Sequence, residues 1–392
     1  MDVLSNRLKR IPPYVFTSIN KKKKELINEG IDIIDLGIGA PDLPTPPSIV
    51  NKLQTELASQ QQVFQYSPFS GIEEFRVAVA NYYKNVYNVT LDPNEEVLTL
   101  IGSKEGISHI VPALADKNDI VLIPDPSYPV YKTATYLADA TAYEMPLLAK
   151  NDYLPDYAVI PDEILQCSKL MFLNYPNNPT STSADIDFFS RTVAFAEKNS
   201  IAVAHDAAYQ LMTFDNKPAP SILQVEGAKE CCVEFGSFSK SFSMTGWRIG
   251  YVVGNKDIIK ALATVKNNTD TCQFIPIQKA ATYALEHELS SIPAMNKIFQ
   301  QRRTIAVRLL NEMNLEVTPA QATFYLWVKL PNTVDTNEFC YNLLDKFGVV
   351  VTPGTAFGSY SNNNFRISLS VKEDRLIQAI RRIGYCLKQY GS

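Results

Sequence analysis

Six short apolar runs punctuate the middle of the chain, at residues 97–102, 120–125, 169–174, 201–206, 231–237 and 249–254. They are continuously apolar rather than alternating, which is the pattern of strands buried on both faces. Amphipathic stretches such as residues 185–199 lie between several of them. Together they predict a mostly parallel sheet flanked by helices, an α/β architecture. The last third reads differently. Residues 316–330, 349–352 and 365–370 predict strands, and residues 336–347 and 372–390 predict helices, which together make a smaller α+β domain. The proline-rich stretch 41–47 cannot be helical throughout and predicts a passage between units. The expected division is an N-terminal arm, 1–45, packing with the small domain; a large domain, 46–285; and a small C-terminal domain, 286–392.

Ligands of open parallel sheets bind beyond the carboxyl ends of the strands. The first run is followed by Ser103 and Lys104, the second leads to Tyr128, and the third to Asn177 and Asn178. The fourth ends in His205 and Asp206, with Tyr209 one turn on. The fifth ends at Ser237, with Lys240 and Arg248 beyond it. These residue types suit a phosphorylated, aromatic, cationic cofactor. A helix beginning at Ser103 would offer free backbone N–H groups to an anion. His205 and Asp206 are neighbours on a strand and so point to opposite faces, which makes His205 a supporting or core histidine. Gly37-Ile38-Gly39 lacks the third glycine of a dinucleotide fingerprint, and Pro41 breaks the helix one would need.

A net charge of −4 gives no electrostatic footprint for nucleic acid. The run Lys21 to Lys24 reads as a solvated helix face. The six cysteines show no C-x-x-C spacing and read as buried free thiols of a reducing compartment. The three histidines have no metal-ligand spacing, which argues against a zinc hydrolase and for no metal site. Residues 1–10 carry no signal-peptide core, and no apolar stretch reaches the roughly 18 residues of a membrane span. The expected location is cytoplasmic.

Ser237-Phe238-Ser239-Lys240, followed by Gly246-Trp247-Arg248, resembles the lysine motif of the fold-type I pyridoxal-phosphate (PLP) enzymes, specifically the class I/II aminotransferases. Four further pieces agree in order: Tyr66 with Gly71, Asn178-Pro179-Thr180, Asp206-Ala207-Ala208-Tyr209, and Phe365-Arg366-Ile367. A lone S-x-S-K carries little weight, but this ordered set spans residues 31 to the C-terminus. The resemblance implies the fold-type I architecture and an amino-acid aminotransferase working by a ping-pong Schiff-base mechanism. It implies that Lys240 holds pyridoxal 5′-phosphate and, once freed, shuttles a proton at the substrate Cα. By the same resemblance Asp206 pairs with the pyridinium nitrogen. Tyr209 and Asn178 hold the ring O3′, and Tyr128 stacks on the ring. Ser103, Lys104, Ser237 and Arg248 surround the phosphate, and Tyr66 reaches it across a homodimer interface. Arg366 grips the substrate α-carboxylate with a planar guanidinium, helped by Asn178 and the backbone near Gly39.

Two positions depart from the family pattern. Ser181 stands where the family writes glycine after Asn-Pro-Thr, and Ala322 where it has glycine two residues before the aromatic Phe324. The segments from Gly102 to Ile107 and from Val265 to Asp270 are similar to those of LL-diaminopimelate aminotransferases, which implies that substrate with 2-oxoglutarate as acceptor. Residues 266–270 and 81–85 are candidates for contacting a polar distal end. A methionine or aromatic aminotransferase, or a PLP-dependent C–S β-lyase, are the alternatives.

Overall fold

The computed structural model describes residues 3–11, 15–59, 61–215 and 217–390. A seven-stranded sheet forms its centre: β1 Val97–Leu100, β2 Ile120–Asp125, β3 Thr141–Pro146, β4 Ser168–Leu173, β5 Ala202–Asp206, β6 Cys232–Ser237 and β7 Gly250–Gly254. Their spatial order is β1-β7-β6-β5-β4-β2-β3. Only β7 is antiparallel to its neighbours, β1 and β6. Successive side chains enter different cores, as a strand covered on both faces requires. Along β4, Met171 and Leu173 pack with Phe75, Phe188 and Val193. Leu170 and Phe172 pack on the other face with Ile107, Ile110 and Leu262.

Six of these strands coincide with the apolar runs. The seventh, β3, was not predicted. It lies at the sheet edge, and of its six residues only Met145 is buried, so it leaves no continuous apolar run. Helix Ile186–Asn199 matches its predicted stretch. Asp185 caps it by accepting from the Phe188 N–H at 2.7 Å, and Ser200 ends it in a left-handed conformation.

A second sheet has four antiparallel strands in the order Thr352–Pro353, Asn364–Ser368, Tyr325–Lys329, Glu316–Val317. Helices Ile292–Asn311, Thr336–Phe347 and Glu373–Leu387 bury their apolar faces in the same core, which contains Phe299, Phe339, Phe365, Leu376 and Ile380. Two strand predictions need correction. Residues 316–330 are two strands, because the segment between them turns away to meet the large sheet's side of the molecule. There Thr323 donates to the Met212 carbonyl at 2.8 Å. Residues 349–352 also divide: Val349–Val350 pairs in parallel with Ile34–Asp35, and Thr352–Pro353 joins the four-stranded sheet.

Helix Val15–Asn28 meets helix Thr336–Phe347 through the Lys22–Asp345 ion pair at 2.6 Å. Lys23 pairs with Asp35 at 2.6 Å, so this lysine run is not a plain solvated face. Arg7 and Arg10 also depart from the expected packing. Arg7 donates to the Leu137 carbonyl at 3.2 Å and Arg10 reaches Asp139 at 3.3 Å, on the end of helix Val130–Leu137 beside the large sheet. Cys232, Cys340 and Cys386 are buried thiols, whereas Cys167 is exposed and Cys231 and Cys272 are half-buried. Among the described residues no helix is long and apolar enough to cross a membrane.

Candidate active site

The carboxyl ends of β1, β2, β4, β5 and β6 open on one cavity of about 340 Å³, closed on its far side by Tyr325, Val350, Thr352, Phe357 and Arg366. β1 ends at Leu100, and Gly102 turns the chain with φ +75° into helix Ser103–Leu114. A Cβ at Gly102 would lie 2.5 Å from Arg248 Nη2, so only glycine lets the guanidinium approach the helix N-terminus. Ser237 ends β6 on the same cavity and caps the short helix Phe238–Ser241 that carries Lys240. Free N–H groups, a helix dipole and Arg248 thus converge at one pole of the cavity, a donor set for an anion.

Lys240 Nζ points across the cavity and donates to the Gly39 carbonyl. Its surroundings disfavour the ammonium. Burial, then the Arg366 and Arg248 charges, lower its pKa to about 8 against the opposing pull of Asp206. Asp206 is 5% exposed. Its Oδ2 accepts from Tyr131 Oη at 2.8 Å, and Asn174 Nδ2 donates to its carbonyl at 2.7 Å. Burial pushes the Asp206 carboxyl up from the usual carboxylate range, opposed first by the Tyr131 hydrogen bond. Tyr209 Oη lies 3.0 Å from Tyr325 Oη, and burial raises both hydroxyls.

Arg366 reaches the cavity from strand Asn364–Ser368. Nη1 donates to Asn178 Oδ1 at 2.7 Å and Nη2 to the Gly37 carbonyl at 2.9 Å. The guanidinium lies 4.1 Å from the Tyr325 ring centroid and 4.8 Å from that of Phe357. Its Nε is buried and meets no acceptor among the described residues.

Of the twelve residues singled out in the sequence, eleven line this cavity: Gly39, Ser103, Lys104, Tyr128, Asn178, Asp206, Tyr209, Ser237, Lys240, Arg248 and Arg366. Tyr66 does not, and is 87% exposed. His205 turns away from the cavity, with Nδ1 2.9 Å from Glu234 Oε2 and Nε2 3.0 Å from the Tyr175 carbonyl. Lys266 and Asp270 pair with each other at 2.5 Å, and neither they nor residues 81–85 line the cavity. The sequence reading missed Tyr131, Asn174, Gly37 and Tyr325. Asn174 sits at a strand end and Tyr325 follows Phe324, so both stood next to positions already noted.

An amine, a buried carboxylate, an aromatic ring and an anion-binding pole line one cavity, and they fit a phosphorylated pyridine aldehyde. The family model for aminotransferase class I and II matches residues 31–383. An LL-diaminopimelate aminotransferase from Moorella thermoacetica is 44% identical over 379 residues, 97% of each chain. One from Aquifex aeolicus is 44% identical over 380 residues, 97% of this chain and 98% of its own. Among solved structures, substrate-bound BacF from Bacillus subtilis superposes with a TM-score of 0.94 at 38% identity, covering 99% of this chain and 98% of BacF. The chain belongs to the class I and II aminotransferases, enzymes of fold type I whose cofactor is pyridoxal 5′-phosphate.

Proposed function

We propose that this aminotransferase moves the amino group of LL-diaminopimelate to 2-oxoglutarate, with Lys240, Asp206 and Tyr209 serving the chemistry. One observation carries the preference for an acidic substrate. Lys104 lines the cavity with an exposed side chain, a cation on the wall of the site. The substrate named for the Moorella and Aquifex relatives has a distal carboxylate of the kind that cation would meet.

When bound, PLP supplies an electron sink for the bond broken at the substrate Cα. The remaining work falls to the chain. Lys240 holds the cofactor and then moves the proton at Cα. Its lowered pKa supplies neutral amine nearer to neutral pH than an ordinary lysine would. Asp206 would hold a proton on the ring nitrogen of the bound cofactor. Asn178 Oδ1 is engaged by Arg366, which leaves its Nδ2, with the Tyr209 hydroxyl, to donate to the ring O3′. Tyr128, on the cavity wall, would cover the ring face. The N–H groups at Ser103 and Lys104, with Ser237 and Arg248, receive the phosphate. Arg366 and the backbone at Gly39 take the α-carboxylate.

Tyr66, with the exposed Phe64 and Phe69, supports a homodimer in which Tyr66 completes the partner's phosphate site. The core that joins Ile34 and Leu36 to Phe299, Phe339 and Phe365 supports an arm, 1–45, packing with a small domain, 286–392, beside a large domain, 46–285, whose Ala208, Tyr209, Met212 and Phe214 reach into that same core. Six free thiols accord with a cytoplasmic location.

The test is kcat/KM across LL-diaminopimelate, glutamate, aspartate, alanine, methionine and phenylalanine. LL-diaminopimelate is expected to lead. A tenfold lead for methionine or phenylalanine over every polar substrate, about 1.4 kcal/mol of transition-state binding, would remove the substrate assignment. Release of pyruvate, ammonia and a thiol from cystathionine would identify a lyase.

A further inference from the structure

The cavity has two walls of different origin. Tyr128 belongs to the loop after β2 in the large sheet, and Arg366 to the small sheet. Transamination requires both at once, because the carboxylate held by Arg366 must place the substrate Cα against a ring lying at Tyr128. Something must hold the two walls in register.

Asp125, the last residue of β2, is 3% exposed and faces the loop that precedes the Arg366 strand. That loop wraps its carboxylate. The Ser359 N–H donates to Oδ2 at 2.9 Å, the Ser359 hydroxyl to the same oxygen at 3.1 Å, and the Tyr360 N–H to Oδ1 at 3.2 Å. A return bond runs from the Ser127 N–H to the Phe357 carbonyl at 2.8 Å. Gly358 has φ +154°, and a Cβ there would fall 1.9 Å from Asp125 Oδ1. The loop is therefore moulded onto the carboxylate. Each end of this junction leads directly into the cavity. Three residues after Asp125 comes Tyr128, and Phe357 places its ring 4.8 Å from the Arg366 guanidinium. Glu144, held by Lys132, borders the junction, with Oε2 3.3 Å from the Ser359 hydroxyl.

We propose that Asp125 is a positioning residue for transamination. It fixes the Arg366 carboxylate clamp relative to the Tyr128 wall without touching substrate or cofactor. This rests on the roles given to Arg366 and Tyr128 above. A buried carboxylate receiving two backbone N–H groups is a strong and directional tie. Misplacing a bound substrate by about 1 Å costs on the order of a hundredfold in rate.

The experiment compares the half-reactions of the PLP-loaded enzyme with alanine and with ethylamine, which differ only in the α-carboxylate. Asp125→Ala is expected to keep the cofactor absorbance and its attachment to Lys240. It should lose about a hundredfold in kcat/KM for alanine and less than threefold for ethylamine. Asp125→Asn, which keeps one acceptor oxygen, should recover part of the alanine rate. In an Arg366→Ala background, adding Asp125→Ala should cost less than threefold. Equal losses for the two amines, or additive losses with Arg366→Ala, would overturn the proposal. If Asp125→Ala does not fold, Gly358→Ala displaces the loop from the opposite side and must produce the same unequal loss. A wild-type enzyme that converts ethylamine as fast as alanine would refute the Arg366 role itself, a failure visible before any variant is made.

Discussion

Arg366 donates to Asn178 across 2.7 Å, joining a strand of the small sheet to the loop after β4 of the large one. The two residues are 188 positions apart in sequence. The bond orients the guanidinium and also settles which end of the Asn178 carboxamide faces the cavity.

Arg366→Lys keeps the charge but cannot reproduce the planar fork. It leaves Asn178 Oδ1 or the Gly37 carbonyl without its donor. A lost hydrogen bond to a charged group is worth roughly 1.5–3 kcal/mol, so kcat/KM for amino acids should fall about tenfold to 150-fold. Steady-state kinetics check this, and an unchanged kcat/KM would remove Arg366 from the substrate site.

Lys240 gives the pH prediction. Its pKa in the folded chain is lowered from 10.5 to about 8, chiefly by burial. Only the neutral amine attacks the cofactor aldehyde, so PLP capture by cofactor-free enzyme should accelerate as pH rises and level off above about 8. Stability follows the same sign. The unfolded chain binds more protons between about 8 and 10.5, so this group's penalty on the fold is relieved as pH rises through that window. Stopped-flow capture rates that still climb at pH 10 would contradict the burial argument.

Ser181, where the family has glycine, adopts φ +63°. The strain is balanced by its hydroxyl, which lies 2.8 Å from Thr323 Oγ1 and 2.8 Å from the Tyr325 carbonyl. The Gln321 N–H donates to the Ser181 carbonyl at 3.2 Å, so the two departures, at Ser181 and Ala322, belong to one contact. Ser181→Ala keeps the strained backbone and orphans a buried acceptor, and should destabilise by about 1–3 kcal/mol. Ser181→Gly removes the strain as well and should lose less. Urea denaturation of both variants decides this, and an alanine variant as stable as the glycine one would contradict it.

Asp32 binds Arg375 and Arg382, each at 2.6 Å, and these guanidinium groups hold its carboxyl at about 2. A depressed folded-state pKa contributes stability above the ordinary value of 3.8 that is lost as pH falls toward 2. Asp32→Asn should therefore be less stable than wild type at pH 5, with the difference narrowing as pH falls from 4 to 2. Thermal melts across that range test it, and a constant difference would contradict the assignment.

The large sheet and the ends of its strands were legible because strands buried on both faces leave continuous apolar runs. The edge strand β3 left none, since Thr141 is exposed and Tyr143 and Glu144 are half-buried. Lys240, Asp206 and Arg366 were legible through the resemblance of their motifs. Tyr131 and Tyr325 were not, because an aromatic inside an apolar helix or strand reads as core until its hydroxyl partner is placed. Here those partners are Asp206 and Tyr209. The Asp125 junction was invisible for a different reason, since two of its three donors are backbone N–H groups that sequence does not distinguish.

The most direct test of the account is to reduce the PLP-loaded enzyme with borohydride, digest it, and locate the cofactor by mass spectrometry. Lys240 lines the cavity with its amine facing Asp206 and Arg366, so the label should fall on Lys240 alone and disappear in Lys240→Ala. Stoichiometric label on any other lysine would contradict the placement of the active site.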